Sequence, residues 1–438
     1  MSREAQGSVN SAACSVSSHN PLCIFLRGEK NMGKETKNKK KKWLKLRHKL
    51  IRPILWLALA PYTYIKYGIR VDRFRPEKRE PYLILLNHQT AFDQFFIGMT
   101  VRGPIYYMAS EDIFTNGFIS KLLRFAVAPI PIKKQATDVQ AVLNCKRVVR
   151  EGGTVAIMPE GNRTFSGKTE YFNPAIVGLA KILKLPIAFL RIEGGYGVHP
   201  RWSDVVRKGK MRSYISKVIE TEEYAKMSDD ELYALIKQEL FVNENDIGGT
   251  FEHKKNAEYM ERALYYCPDC GFSNFESNGA YIECKKCGKK AKYLPNKTFE
   301  SVNGEFPFKN MNEWYEAQNA FVKAFDPFTA TKTPLYEDTV KLFDVFPYKR
   351  KILHAKSTKL SLYGDRIVMQ TPNERIELPF DKVSVVTVLG KNKLNIYFED
   401  KVYQCKGEKR FNALKYVNIC YRYKNVAKGD ENGEFLGL

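Results

Sequence analysis

A histidine that stands five residues ahead of an aspartate, just after an apolar run, has the types and spacing for proton-transfer chemistry. The run at 82–86 ends in Asn87, His88, Gln89, Thr90, Ala91, Phe92 and Asp93, and Phe95, Phe96 and Met99 follow with helix-like spacing. Residues five apart on one helix point about 140° apart, so His88 and Asp93 cannot pair if both are helical. They can pair if His88 stands on the preceding turn. With Thr90 as N-cap, Asp93 falls at the third helical position, where a carboxylate can fold back towards the loop. Asp93 would then hold one imidazole nitrogen and leave the other free to take a proton from a hydroxyl. The alternative is a plain capping box beside a surface histidine, and these seven residues alone do not choose between the two.

A second apolar run, 154–158, ends in Pro159, Glu160, Gly161, Asn162, Arg163 and Thr164. Gly161 permits a tight turn with close backbone approach, and Arg163 offers a planar fork suited to a phosphate. Upstream, Pro129, Ile130, Pro131 and Ile132 lead into Lys133 and Lys134, two cations at the end of another short strand. Ends of neighbouring strands are where α/β domains collect ligands. For either lysine singly, a solvated surface charge is an equally good account.

Of the nine cysteines, four are clustered: Cys267 and Cys270, a thirteen-residue interval, then Cys284 and Cys287, with Gly271 and Gly288 after the pairs. Each pair makes a tight knuckle, and four thiolates suit one closed, tetrahedral, structural Zn²⁺ site; iron fits the same cage. Cys14, Cys23, Cys145, Cys405 and Cys420 are scattered. The grouping points to metal rather than disulfides, and so to a reducing compartment.

Strand-like runs at 82–86, 105–108, 154–158 and 187–192 alternate with helix-like stretches at 139–150 and 174–183, which indicates an α/β domain. A helix is expected over 229–240, where Ser228 caps and Glu231 answers. An aromatic helix follows near 313–325. Residues 350–407 read as short strands with turns at Gly364 and Asp365 and at Gly390, Lys391 and Asn392. A closing helix over 409–421 would put Phe411, Leu414, Val417 and Tyr421 on one face.

The N-terminal part is different in kind. Residues 1–31 are rich in Ser, Asn and Gly without a period, and are expected to be disordered, or untranslated if synthesis starts at Met32. Residues 37–52 hold nine basic residues and no acidic one, interleaved with Trp43, Leu44, Leu46 and Leu50, and the uncharged run 53–65 follows. Thirteen residues are too few to span a bilayer, which needs about 20, and Pro61 is expected to kink or end a helix. A basic, Trp-bearing flank beside an apolar run suits an anchor lying in the interface of an anionic membrane. No secretory signal is evident.

Taken together, residues 75–215 resemble the lysophosphatidic acid acyltransferases of the glycerolipid acyltransferase superfamily. The first family motif, Asn-His, four residues, Asp, stands here as Asn87, His88 and Asp93. The third, Pro-Glu-Gly-Thr-Arg-Ser, stands as residues 159–164 with Asn162 in place of Thr. The second normally ends in Asp-Arg, where this chain has Lys133 and Lys134; the fourth resembles Leu185, Pro186, Ile187, Ala188 and Phe189. Its continuation, Glu193, Gly194, Gly195, Tyr196 and Gly197, has no evident physical reading. The resemblance implies His88 as general base with Asp93, and a substrate-phosphate site made by Lys134, Glu160, Gly161 and Arg163. It implies transfer of a fatty-acyl group from an acyl thioester, acyl-coenzyme A or acyl carrier protein, to the free hydroxyl of 1-acylglycerol 3-phosphate, forming phosphatidic acid without a cofactor. The departures bear on the acceptor more than on the reaction type.

The expected architecture is thus an α/β acyltransferase domain with a mixed sheet flanked by helices, a zinc ribbon, and a β-rich domain similar to pleckstrin-homology barrels. The boundaries are 1–31, a membrane anchor at 32–70, the acyltransferase-like domain at 71–245, the ribbon at 260–295, a mixed linker with a helix at 296–345, and the β-rich domain at 346–425. The chain carries 71 Lys and Arg against 48 Asp and Glu, a formal charge of +23, which favours polyanionic partners. Nucleic acid is disfavoured because the densest basic run adjoins the apolar 53–65 segment, which fits lipid better. An inactive lipid-binding scaffold is a further reading, opposed by the presence of His88, Asp93, Glu160 and Arg163. The place expected is the cytoplasmic face of the cell membrane, peripheral or monotopic.

Overall fold

The computed structural model describes residues 42–435, apart from 77, 79, 111–112, 115–117, 133–137 and 347–350. The stretch 1–31, the candidate start at Met32, the first lysines of the basic run, and Lys133 and Lys134 lie outside the described residues.

The four residues of the first strand-like run, Leu83 to Leu86, are completely buried, as expected of a central strand covered on both faces. They form β2 of a seven-stranded sheet: β1 (Ile69–Val71), β2 (Leu83–Leu86), β3 (Ile105–Ser110), β4 (Ile130–Ile132), β5 (Thr154–Ile157), β6 (Ile187–Glu193) and β7 (Met211–Ile219), in the order β1-β7-β6-β2-β5-β3-β4. Neighbours run parallel except β6 and β7, which are antiparallel, so the sheet is mixed. The helices around it are α1 (Leu46–Tyr67), α2 (Asp93–Thr100), α3 (Phe118–Ala126), α4 (Val139–Arg150), α5 (Ala175–Leu183), the short α6 (Gly195–Val198) and α7 (Asp229–Leu240).

Strand alternation sorts the core into two layers. Leu83, Leu85, Val155, Ile187 and Phe189 pack with residues of α4, α5 and α7. Ile84, Leu86, Ala156, Ala188 and Leu190 pack on the other face with Ala60 and Tyr67 of α1 and Phe96, Ile97 and Met99 of α2. The capping box of α7, Ser228 with Glu231, forms as its spacing requires. The connection leaving β2 runs towards β3, and the one leaving β5 runs to β6 on the far side of β2. Loops that diverge in this way open a crevice at the carboxyl ends of the strands.

Helix α1 corrects one half of an expectation, that Pro61 would end a helix. It passes through both Pro53 and Pro61 without ending. Both prolines are exposed, so each lost N–H bond frees a carbonyl on the outer face of the helix rather than inside the core. No helix among the described residues is long and apolar enough to cross a membrane.

Beyond α7, β8 (Tyr266–Cys267) and β9 (Gly271–Phe272) form a hairpin, and β10 (Phe275–Asn278), β11 (Tyr281–Cys284), β12 (Lys290–Tyr293) and β13 (Phe299–Ser301) form a four-stranded antiparallel meander. Helix α8 (Met311–Ala324) leads into seven further strands: β14 (Tyr336–Asp344), β15 (Ile352–Leu362), β16 (Arg366–Gln370), β17 (Arg375–Pro379), β18 (Val383–Leu389), β19 (Lys393–Phe398) and β20 (Lys401–Gly407). Their order is β17-β16-β15-β14-β20-β19-β18, and every neighbouring pair is antiparallel. The closing helix, α9, spans Leu414–Ala427 rather than 409–421. Phe411 is buried in the lead-in, and the Asn412 side chain accepts the N–H groups of Leu414 and Lys415 at 2.8 and 3.2 Å, which starts the helix later.

Candidate active site

The site is built at the carboxyl end of β2. Asn87 fixes the exit of this strand against β6: its Nδ2 donates to the Ile192 carbonyl at 2.8 Å and its Oδ1 accepts the Ile192 N–H at 2.9 Å. The chain then turns through His88 to Phe92 before α2 starts.

Asp93 is the first residue of α2, not the third, and Phe92 rather than Thr90 is the N-cap. The carboxylate folds back onto the turn that precedes the helix. It accepts the Gln89 N–H at 2.7 Å, the Thr90 N–H at 2.9 Å and the Thr90 hydroxyl at 2.6 Å. Thr90 is held inward in turn, its oxygen accepting the Phe92 N–H at 3.1 Å.

The same carboxylate receives His88 Nδ1 at 2.8 Å. His88 is on the turn preceding the helix, the placement the five-residue spacing demanded. With Nδ1–H donating to Asp93, the lone pair of the neutral ring is on Nε2. The Asp93 side chain is fully buried, whereas 14% of the His88 side chain remains accessible, so the dyad presents its basic nitrogen outward. Burial lowers the His88 pKa below its ordinary value, and the nearby Arg163 charge adds to this; Asp93 opposes both without prevailing. The ring is therefore neutral at neutral pH, as a base must be.

The second stretch arrives from β5, the strand beside β2. Glu160 is buried, and both its oxygens are committed to backbone: one accepts the His88 N–H at 2.8 Å and the other the Glu170 N–H at 2.8 Å. The carboxyl clasps two loops together; it does not face outward as a phosphate ligand. Burial pushes its pKa up to about 8. The His88 carbonyl accepts the Thr164 N–H at 3.1 Å, completing the junction. Gly161 takes the turn with φ of +66°, a left-handed conformation suited to glycine.

Arg163 follows that turn, and its Nη1 is sealed from solvent with no hydrogen-bond partner. Burial lowers its pKa, while the charge of Asp93 opposes that shift. A guanidinium nitrogen kept free beside the dyad is suited to a bound anion.

Sequence reasoning missed several positioning residues. Gln89 Oε1 accepts the Tyr196 N–H at 2.8 Å. Arg201 donates to the Arg163 carbonyl at 3.0 Å, to Asn162 Oδ1 at 3.2 Å and to the Val388 carbonyl at 3.2 Å, and lies 4.1 Å from the Phe165 ring centroid. Burial, then repulsion from Arg163, brings its pKa down to about 9. Nothing local to Arg201 announced this role; the glycines at 194, 195 and 197 were the one visible signal nearby.

The four clustered cysteines converge, with all Sγ atoms within 4.8 Å of one another. The Cys267 and Cys287 Sγ atoms are 3.7 Å apart. Four thiolates about 2.3 Å from a tetrahedral ion stand about 3.8 Å apart, so the donor set and its size fit one zinc. Gly271 and Gly288 have φ of +67° and +75°, as the two knuckles require.

Residues 69–192 match the acyltransferase family model. Over 167 residues the chain is 22% identical to a chloroplastic 1-acyl-sn-glycerol-3-phosphate acyltransferase of Brassica napus, covering 38% of this chain and 48% of the relative. It is 21% identical over 167 residues to a chloroplastic enzyme of the same description from Arabidopsis thaliana, covering 38% and 47%. The chain therefore spans about half the length of the curated relatives it matches. The crystal structure of the 1-acyl-sn-glycerophosphate acyltransferase PlsC from Thermotoga maritima aligns with 44% of this chain and 76% of its own, at 18% identity and a TM-score of 0.36.

Proposed function

We propose that this chain, which carries an acyltransferase domain over residues 69–192, transfers a fatty-acyl group from an acyl thioester to the free hydroxyl of 1-acylglycerol 3-phosphate, forming phosphatidic acid. The observation that carries this reading is the His88–Asp93 pair at 2.8 Å, at the end of the central strand and beside the unpartnered Nη1 of Arg163.

In this reading His88 Nε2 takes the proton of the acceptor hydroxyl while Asp93 holds the ring and stabilises the imidazolium that forms. The alkoxide attacks the thioester carbonyl, the C–S bond breaks, and the departing thiolate receives the proton back from His88. Among the described residues no nucleophilic side chain pairs with His88, which favours direct transfer over an acyl-enzyme. Acyl-coenzyme A and acyl carrier protein both fit as donor, and Arg163 would pair the acceptor phosphate. Lys134, which lies outside the described residues, is retained as a second candidate for that phosphate on its sequence position alone.

The remaining parts support a membrane-surface enzyme. Leu46, Leu50, Ile54, Leu57 and Ile65 of α1 are each more than half exposed, at spacings that place them along one side of the helix for roughly 29 Å. Leu122 and Phe125 of α3 are also more than half exposed. The two helices meet where Arg47 Nε donates to the Phe125 carbonyl at 3.0 Å and the guanidinium lies 4.2 Å from the Phe125 ring centroid. An apolar face flanked by Lys45, Lys49, Lys121 and Arg124 suits an anionic bilayer, and we place it at the cytoplasmic face of the cell membrane. The cysteine module reads as a zinc ribbon whose metal is structural, and the strand order with its closing helix reads as pleckstrin-homology-like.

Incubating the full chain with radiolabelled acyl-coenzyme A or acyl carrier protein and a panel of lysophospholipids tests the proposal. Labelled phosphatidic acid is the expected product; turnover confined to other acceptors, or none at all, would overturn it.

A further inference from the structure

The glycine-rich segment after β6 acquires a physical reading from the packing. Gly194 has φ of +77°, and a Cβ on it would lie 2.3 Å from the Lys210 carbonyl oxygen; a Cβ on Gly195 would lie 2.8 Å from Gln89 Cβ. Gly194 thus packs on the lead-in to β7, and Gly195 lets α6 lie directly against the loop that carries His88, where the Tyr196 N–H reaches Gln89 Oε1. Helix α6 then ends at once, and the His199 N–H closes it on the Gly195 carbonyl at 2.8 Å.

The side chain presented there is anomalous. His199 is 8% exposed, and neither Nδ1 nor Nε2 has a hydrogen-bond partner. A buried imidazole has one donor and one acceptor to satisfy, and buried polar groups are rarely left so. Its ring is against Tyr67, centroids 6.0 Å apart, and Tyr67 in turn packs on Phe92 of the His88 loop at 5.2 Å. The charges that act on it are Lys391, Arg163, Arg207 and Asp204. Lys391 binds the Ser203 carbonyl and Asp204, and Arg207 binds the carbonyls of Gly197 and Asn256 through its two Nη atoms while its Nε has no partner. Arg163 keeps Nη1 free, like His199.

We infer that His199 is a headgroup-binding residue, donating a hydrogen bond to the same phosphate monoester of the acceptor that Arg163 pairs. The inference rests on the acyl-transfer reading above. In the absence of an anion, burial and the surrounding cations push the His199 pKa down to about 3, so the ring waits neutral. An entering phosphate offsets those cations and strengthens the bond.

The test uses His199→Phe, which preserves the ring packed on Tyr67 and removes both nitrogens. The expected result is a KM for 1-oleoylglycerol 3-phosphate raised roughly 10- to 100-fold, the range of a hydrogen bond to a charged group, with kcat and the KM for phosphate-free 1-oleoylglycerol nearly unchanged. Equal changes for both acceptors, or none, overturn the inference. A second measurement requires neither turnover nor a folded variant. Adding glycerol 3-phosphate to the ¹⁵N-histidine-labelled full chain should shift the His199 ring resonances and raise its pKa. No shift leaves the ring a packing residue or a water site and overturns the inference, and an equally strong shift by inorganic phosphate or coenzyme A overturns the headgroup assignment. Wild-type protein that shows this shift without acylating any lysolipid would refute the acyl-transfer reading and leave the phosphate site standing.

Discussion

The carboxylate of Glu160 accepts the backbone N–H of His88 at 2.8 Å, so the loop after β5 holds the base that stands after β2. Its other oxygen holds the Glu170 N–H. In Glu160→Gln one of these donors would face an amide NH₂ instead of an acceptor. We expect a loss of about 1–3 kcal/mol in stability and a lower kcat, measured by thermal unfolding and steady-state kinetics; unchanged values in both would remove Glu160 from the support of the site.

Glu160 also sets a pH dependence. Its folded pKa of about 8 lies above the ordinary value of 4.5, so the folded state binds the proton more tightly than the unfolded one. The contribution to stability is fully present below pH 4.5, declines as pH rises, and is gone above about 8. Thermal unfolding across this window should show wild type losing stability more steeply than Glu160→Gln, which cannot titrate. Parallel curves would show that another group governs the slope.

Replacement of His88 by Ala should reduce turnover roughly 10²- to 10⁴-fold, the usual share of a general base. Because the pKa of His88 is lowered, the acid limb of the wild-type rate should fall below pH 6.5, with activity lost as pH drops through it. Asp93→Asn should lower both turnover and melting temperature, since the same carboxylate organises Gln89 and Thr90. Loss of stability with normal turnover in the folded fraction would leave Asp93 a purely structural cap.

The pairing of His88 with Asp93 was more legible than its support. An apolar run ending in His88, with Asp93 five residues on, encodes a strand, a turn and a returning carboxylate within one local stretch. Thr90 was misjudged because the Asp93 carboxylate binds its N–H and hydroxyl in the turn ahead of the helix, which therefore starts three residues later, at Asp93. The helix through Pro53 and Pro61 escaped notice because the cost of proline depends on which side its carbonyl partner faces, and that is a tertiary property. Arg201 reaches a carbonyl 187 residues away at Val388, and no local pattern carries such a contact. Helix α3 also escaped notice; two of its apolar residues, Leu122 and Phe125, are more than half exposed.

The four cysteines should bind one metal ion per chain, zinc by the fit of the cage. Cys284→Ser should lower metal content and loosen the segment from β8 to β13 while leaving the acyl-transfer chemistry intact, because the cluster is structural in type. Elemental analysis of protein purified without chelators, with proteolysis of the variant, checks both points. Absence of metal would return the cluster to free thiols.

Membrane attachment should have two separable parts. Basic residues near an anionic surface are attracted at about 1 kcal/mol each, and this part is screened at 1 M salt, where the Debye length is about 3 Å. Burying a large apolar side chain contributes about 1.5–3 kcal/mol, which salt does not screen. Cosedimentation with anionic vesicles across a salt series should therefore leave a salt-resistant fraction. Ile54→Glu with Leu57→Glu should abolish that fraction while retaining binding at low salt, because both residues are exposed on α1 and their loss leaves the core untouched. Phe125→Glu should do the same to a smaller degree if α3 shares the surface. Complete release of wild-type protein by salt would mean that attachment is electrostatic alone, and that the outward apolar side of α1 meets something other than lipid.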